Sequence, residues 1–251
     1  MKAIMLAAGL GSRLYGHDDT HPHKALLQFG GKSLLHRHID VLRGCGVERL
    51  FLVVGYRAGT LLAEIERIGA SDFVQPVVNP DYRQGTVVSL WRAREALTAG
   101  EPCLFMDADV LYHPDLIRRL IASSHETCLL LDRDFEPGDE PVKFCLRGGR
   151  PVAFGKQVDG VEADTVGEWP GFLKLSPRAG TAMAATLQAY VDAGRTAEPM
   201  ESVVRDVMLG GAGGAFGWED VTDLPWIEID FPQDVERAER EILPKISAAS
   251  G

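Results

Sequence analysis

Cysteine is scarce: 251 residues hold four, and no two are spaced as Cys-x-x-Cys, which excludes a disulfide scaffold and a thiolate metal site. Cys45, Cys103, Cys128 and Cys145 therefore read as reduced thiols, three of them inside apolar runs. Long hydrophobic runs are missing as well. No stretch approaches the ~18 apolar residues of a membrane-spanning helix. The opening MKAIMLAAGL is apolar but short, has one lysine ahead of it and runs into a glycine loop, so it reads as a buried strand and not as a secretion signal. There is no surplus of positive charge either. A formal net charge of −10 sets the chain against nucleic acid and anionic membrane surfaces as main partners, because both would repel it. A small ligand in a locally basic pocket is the partner class left, and reduced thiols make a cytoplasmic location the expectation.

What is present suffices for a full core: 45% of the residues are hydrophobic beside 25% charged. In the first half, strand-length apolar runs alternate with amphipathic stretches. Lys2–Ala8, Arg49–Val54, Phe73–Val78, Pro102–Met106 and Cys128–Leu131 read as strands, and Lys32–Arg43, Thr60–Ile68, Thr86–Ala96 and Pro114–Ser123 as helices. Nearly continuous apolar strands separated by helices predict an α/β fold, a doubly wound, mostly parallel sheet. In the second half, Val142–Arg147 and Pro151–Lys156 flank Gly148-Gly149, a two-residue hairpin turn. Gly171–Leu175 reads as a further strand, Ala179–Ala193 and Met200–Leu209 as helices, and Trp226–Ile229 as a last strand before a helix over Pro232–Ile242. Gly210–Gly214 reads as a flexible turn. The organisation is one domain over 1–251, with the hairpin as a small lid insertion.

The loop after the first strand lies where open α/β sheets bind ligands. Gly9 and Gly11 let backbone amides approach an anion, although two glycines alone equally fit a tight turn. A dinucleotide fingerprint is absent, since its third glycine position is Leu14 and the second strand ends Val53-Val54-Gly55 without an acid. The P-loop ending of glycine, lysine and serine or threonine is absent too. Arg13 sits inside the loop and Lys24 eleven residues later, two cations suited to the phosphates of a triphosphate and to departing pyrophosphate.

Leu6-Ala7-Ala8-Gly9-Leu10-Gly11-Ser12-Arg13-Leu14, followed by Pro22-His23-Lys24-Ala25-Leu26, resembles the opening of the nucleotidyltransferases that couple a nucleoside triphosphate to a phosphorylated small molecule. Their usual form is proline-lysine, so His23 is a departure. The resemblance runs from Met1 to about Ile242 and is nearest to the phosphocholine and 2-aminoethylphosphonate cytidylyltransferases. It implies a Rossmann-like, GT-A-like fold with a nucleotide half near 1–135 and an acceptor half near 136–251. It also implies Leu6, Ala7, Ala8, Gly9, Gly11 and Ser12 around the nucleotide, with Arg13 and Lys24 as catalytic cations.

Acids supply the other half of the expected site. Asp107 and Asp109 end an apolar strand at i, i+2 and point to one side if the strand persists, as magnesium ligands would; a solvated turn capped by Asp107 is the competing reading. In Ile227-Glu228-Ile229-Asp230 the acids share a face before a helix start, and Asp230 reads equally well as the cap of that helix. The resemblance makes Asp109 and Asp230 the Mg²⁺ ligands, with Asp107 as a third candidate. Asn79, Gln84, Gly85, Thr86 and Ser89 carry groups suited to reading a base edge, Thr86 serving also as a helix cap, and the resemblance points to CTP as the donor. On the acceptor side it places Lys156 at a phosphate, which the residues alone read as a solvated lysine. Glu168, Trp169, Gly171 and Glu201 are placed around an amine or quaternary ammonium, with a core role for Trp169 as the competing reading. The expected partners are CTP and a small phosphorylated or phosphonate acceptor, without nucleic acid or membrane; a homodimer stands as an open expectation. Alternatives are a sugar-1-phosphate nucleotidyltransferase using UTP, dTTP or GTP, and a non-catalytic nucleotide-binding protein.

Overall fold

In the computed structural model, which describes residues 1–16 and 21–248, the first apolar run becomes strand β1, Lys2–Ala7. Its side chains divide by strand alternation: Ala3, Met5 and Ala7 pack into a core on one face of the sheet, Ile4 into a core on the other. The remaining strands are β2 (Gln28–Phe29), β3 (Lys32–Ser33), β4 (Arg49–Val54), β5 (Val74–Val78), β6 (Cys103–Asp107), β7 (Val110–Tyr112), β8 (Thr127–Leu131), β9 (Lys143–Arg147), β10 (Arg150–Gly155), β11 (Thr165–Glu168), β12 (Phe172–Leu175), β13 (Phe216–Asp220) and β14 (Trp226–Glu228). Seven of them form the main sheet in the order β13-β8-β12-β6-β1-β4-β5. Only β12 runs antiparallel to its neighbours β6 and β8, so the sheet is mostly parallel, as expected. In register, Ala7 lies beside Val54 and Leu6 beside Asp107, which brings the glycine loop and the first acids to one carboxyl edge.

Helices Leu34–Gly44, Ala58–Arg67 and Asp115–Ala122 cover one face through Leu35, Ile39, Leu61, Ile65, Leu116 and Leu120. Helices Pro177–Asp192 and Met200–Leu209 cover the other through Met183, Leu187, Val203 and Val207. A third core ties β7, β14 and the C-terminal helices together around Phe29, Leu111, Ile227 and Ile229. Among the described residues no helix is long and apolar enough to cross a membrane.

Several expected elements shift. The helix read over Thr86–Ala96 breaks at Ala93 into Thr86–Arg92 and Arg94–Leu97. The strand read over Trp226–Ile229 is β14, which leaves the main sheet and pairs antiparallel with β7. Beyond Arg237 the last helix loosens into a π turn over Ala238–Ile242, next to Pro244, which has no amide hydrogen for the preceding turn. Five strands were not foreseen: the short pair β2 and β3, β7, which pairs with β14, β11, which extends the hairpin sheet to β10-β9-β11, and the edge strand β13. The hairpin turn itself stands as read, with Gly148 at φ 55° and Gly149 at φ 73°. All four cysteines are free thiols.

Candidate active site

A cleft of about 360 Å³ opens at the carboxyl edge of β1 and β6, lined along one wall by Leu6–Gly9 and Gly11–Arg13. Lys24 enters it from a short 3₁₀ turn, Lys24–Leu26, which the His23 ring caps by accepting the Ala25 amide at Nδ1 over 3.1 Å. The Lys24 ammonium is nearly buried and donates to Asp230 Oδ1 at 2.7 Å and Asp109 Oδ2 at 3.2 Å. Burial by itself lowers a lysine, but the charges and hydrogen bonds of these two acids outweigh it and hold Lys24 above the ordinary value. Arg13 reaches the same centre, with Nη1 2.9 Å from Asp230 Oδ2.

Topology explains how acids 121 positions apart in sequence meet. The Ile229 amide donates to the Asp109 carbonyl at 2.9 Å, and Glu228 pairs with Val110 in the β14–β7 ribbon. Asp109, Glu228 and Asp230 thereby each offer an oxygen within 4.8 Å of the others. Three carboxylates at that spacing are the hard oxygen donors that a divalent cation such as magnesium takes, so the residues fit one. Loss of surrounding water, and then the charges of Asp109 and Asp230, push Glu228 up to about 8, although the residue keeps an exposed side toward the cleft. Asp230 is not a helix cap: Asp234 Oδ2 accepts the Asp230 and Phe231 amides, leaving the Asp230 carboxylate to the cations.

Asp107 stands apart from this group. The strand stops at Asp107 and the chain bends through Ala108, so strand alternation does not relate the two acids; both line the cleft, but Asp107 is outside the three-carboxylate cluster. Its carboxylate packs on Gly171, where a Cβ would lie 2.7 Å from Asp107 Oδ2 and φ is +88°. Burial first, then the Asp109, Glu228, Glu201 and Asp230 charges, raise Asp107 well above the ordinary aspartate range. Glu228 fills the third place in the cluster; its alternation with Ile227 and Ile229 was the available signal.

Of the expected base-reading residues, Gly85, Thr86 and Ser89 line the cleft, together with Tyr82, which was not foreseen. Gly85 must be glycine: its φ is +126° and an added Cβ would lie 2.8 Å from the Thr196 carbonyl. Thr86 does not cap its own helix; its hydroxyl accepts the Met200 amide at 2.9 Å, at the start of helix Met200–Leu209. Asn79 is fully buried, and its amide is used up between the Ser89 hydroxyl and the Asp81 backbone N–H, each 3.0 Å away. It positions Ser89 and does not face a base. Gln84 is exposed and lies outside the cleft lining.

The acceptor-side expectations separate similarly. Glu201 lines the cleft and also a second cavity of about 300 Å³ that holds Lys156. Lys156 is paired with Glu140 Oε2 at 2.7 Å and is not simply solvated. Trp169 belongs to the core: it is 4% exposed, its Nε1 donates to the Phe172 carbonyl at 2.8 Å, and Phe105 and Phe154 pack against its ring. An aromatic covered on those sides has no face for an ammonium. Glu168 lies in a third cavity of about 340 Å³ with Asp132, Glu136, Trp226 and Phe231. Burial, then Asp132 and Glu136, push Glu168 up to about 7.

Residues 3–159 match the MobA-like NTP transferase domain. The chain belongs to that family. Among characterised proteins, this NTP transferase is 29% identical to the CMP-5'-(3-aminopropyl)phosphonate synthase of Streptomyces rubellomurinus over 97% of its own length and 39% of the relative's. It is also 29% identical to the bifunctional IPC transferase and DIPP synthase of Rubrobacter xylanophilus, over 96% of this chain and 52% of that one. The chain thus spans about half or less of these relatives. Its backbone superposes on the inositol-1-phosphate CTP transferase from T. maritima with a TM-score of 0.75 at 22% identity, covering 98% and 96% of the two chains, which shows the nucleotidyltransferase fold. At the carboxyl edge of that fold, Lys24 and Arg13 lie directly against the carboxylate cluster.

Proposed function

We propose that this NTP transferase is a magnesium-dependent, cytoplasmic cytidylyltransferase that moves CMP from CTP to a small phosphorylated or phosphonate acceptor. The observation that carries the reading is the convergence of Lys24 and Arg13 on Asp230, with Asp109 beside them, in one cleft at the edge of β1 and β6. An oxygen of the acceptor's phosphoryl group attacks the α-phosphorus of CTP, the bond from that phosphorus to the β-phosphate oxygen breaks, and pyrophosphate leaves. Arg13 and Lys24 bind the triphosphate oxygens and neutralise the departing charge, and Lys156 orients the acceptor. Asp109, Asp230 and Glu228 would hold Mg²⁺, which supplies charge neutralisation to the phosphate oxygens. Leu6 to Gly9, Gly11, Ser12, Gly85, Thr86 and Ser89 form the nucleotide wall.

A relative whose name joins CMP to an aminophosphonate, and an acidic cavity at Glu168 that shares Glu228 with the cleft, support an acceptor carrying an amine, of the phosphocholine or 2-aminoethylphosphonate type. Trp226 and Phe231 supply the aromatic faces there. The test is incubation with Mg²⁺ and CTP, UTP, dTTP or GTP against phosphocholine, phosphoethanolamine, 2-aminoethylphosphonate and sugar phosphates, read by product mass. A CMP adduct of an amine-bearing acceptor, abolished by chelator, is the expected result. Adducts formed only from another triphosphate and a sugar phosphate overturn the choice of substrates, and no adduct from any pair overturns the reaction.

A further inference from the structure

Glu140, in the exposed segment between β8 and β9, lines the Glu168 cavity and is the partner of Lys156 named above. Its Oε2 lies 2.6 Å from Arg13 Nη1 and 2.7 Å from Lys156 Nζ. One oxygen atom therefore bridges two cations, Arg13 on the glycine loop at the cleft and Lys156 just past the end of β10 in the neighbouring cavity. These are the side chains that the proposed reaction directs at the nucleotide and acceptor phosphates. An anionic oxygen between two charged N–H donors at these distances is a geometry that phosphoryl and phosphonyl oxygens take equally well. The hydrogen bond from Lys156 outweighs desolvation and, with the Arg13 charge, holds Glu140 below the ordinary glutamate range, so the carboxylate is ionised at neutral pH. Arg13 keeps a second partner in Asp230 and does not depend on Glu140 for compensation.

We propose that the point occupied by Glu140 Oε2 is the subsite for an oxygen of the acceptor's phosphoryl or phosphonyl group, and that Glu140 is an internal competitor for it, displaced when the acceptor binds. The inference rests on the roles given above to Arg13 and Lys156. It carries a sign that an ordinary binding residue does not: removing Glu140 strengthens anion binding.

The experiment titrates inorganic phosphate into the full chain at fixed ionic strength, without nucleotide, for wild type, Glu140→Gln and Glu140→Ala. Both variants are expected to bind phosphate about threefold to tenfold more tightly, the scale of losing partly exposed ion pairs. Adding Lys156→Ala returns the affinity to the wild-type level or below. In turnover, both Glu140 variants lower the acceptor KM and leave the KM for CTP nearly unchanged. Phosphate affinity that is unchanged or weaker in both variants overturns the proposal, as does a gain that survives Lys156→Ala. Because phosphate binding needs neither CTP nor catalysis, failure of the cytidylyltransferase reading shows separately, as absent product with the phosphate result intact.

Discussion

Lys24 is nearly buried with two carboxylates on its ammonium, and its removal acts twice. The triphosphate loses a cation in a desolvated place, where one such contact is typically worth 10²–10³ in turnover. Asp109 and Asp230 also lose the charge between them. Lys24→Ala is expected to cut kcat by about 10²-fold or more in a cooperatively folded protein; turnover within threefold of wild type would remove Lys24 from the mechanism. Trp169 gives the opposite expectation. Held between Phe105 and Phe154, its truncation to alanine should cost about 3–5 kcal/mol of stability, read by urea unfolding. A stable Trp169→Ala protein with a raised acceptor KM would return Trp169 to the site. The resemblance singled out Lys24, Asp109 and Asp230, and the structure brings the three together, whereas the residues alone left Asp230 open between a helix cap and a ligand. Trp169 was not legible, since the string Glu-Trp-Pro-Gly looks the same whether its ring is packed by Phe105 or left open to a ligand. Asn79 failed for a related reason: an amide suited to a base edge suits a buried turn equally well.

At the scale of elements, helix Leu34–Gly44 reaches the site through His38. This fully buried ring lies 3.3 Å at Nε2 from the Ala108 carbonyl and 3.1 Å at Nδ1 from the Tyr112 hydroxyl. A carbonyl only accepts, so Nε2 carries the hydrogen; with the ring kept neutral by its burial, Nδ1 accepts from the Tyr112 hydroxyl, and the pair ties down the bend between Asp107 and Asp109. Burial pulls His38 down to about 4 from an ordinary 6.5. The folded value lies below the unfolded one, so between those pH values the unfolded chain binds a proton that the folded chain refuses. This contribution is therefore complete above 6.5 and is lost as pH falls toward 4, at no more than about 1.4 kcal/mol per pH unit and about 3 kcal/mol in all. In urea unfolding from pH 7.5 to 4.5, the stability gap between wild type and His38→Asn should narrow as pH falls; a gap independent of pH refutes the assignment. Periodicity revealed this helix and the strands around it, because each spans enough residues to show its repeat. It missed β2, β3 and β7, of two or three residues each, β13, five residues behind a glycine-rich turn, and β11, four residues beside the hairpin, where too few positions alternate to register.

For the whole molecule, the order of strands in space decides what can fold alone. Chain order suggests a nucleotide half near 1–135 and an acceptor half beyond it. The sheet does not respect that boundary. β12, from the second half, is inserted between β6 and β8, and β13 covers the far edge of β8. Every neighbour of β8 in the sheet therefore comes from beyond residue 135, and Leu129 and Leu131 share a core with Leu173 and Leu175. Such long-range pairing leaves no trace in local sequence pattern, since any strand of the right length and polarity fits the gap. A fragment ending at residue 135 keeps β1, β4, β5 and β6 paired but leaves β8 without a partner and one edge of β6 open, with fully apolar strand faces exposed to water. It is expected to lack a cooperative thermal transition and to exchange its β8 amides at nearly the unfolded rate, while co-expression with residues 136–251 restores both. A fragment that melts cooperatively with β8 protected would mean that the first half folds without β12, and that the cleft edge at Asp107 and Asp109 does not need the second half to hold its shape.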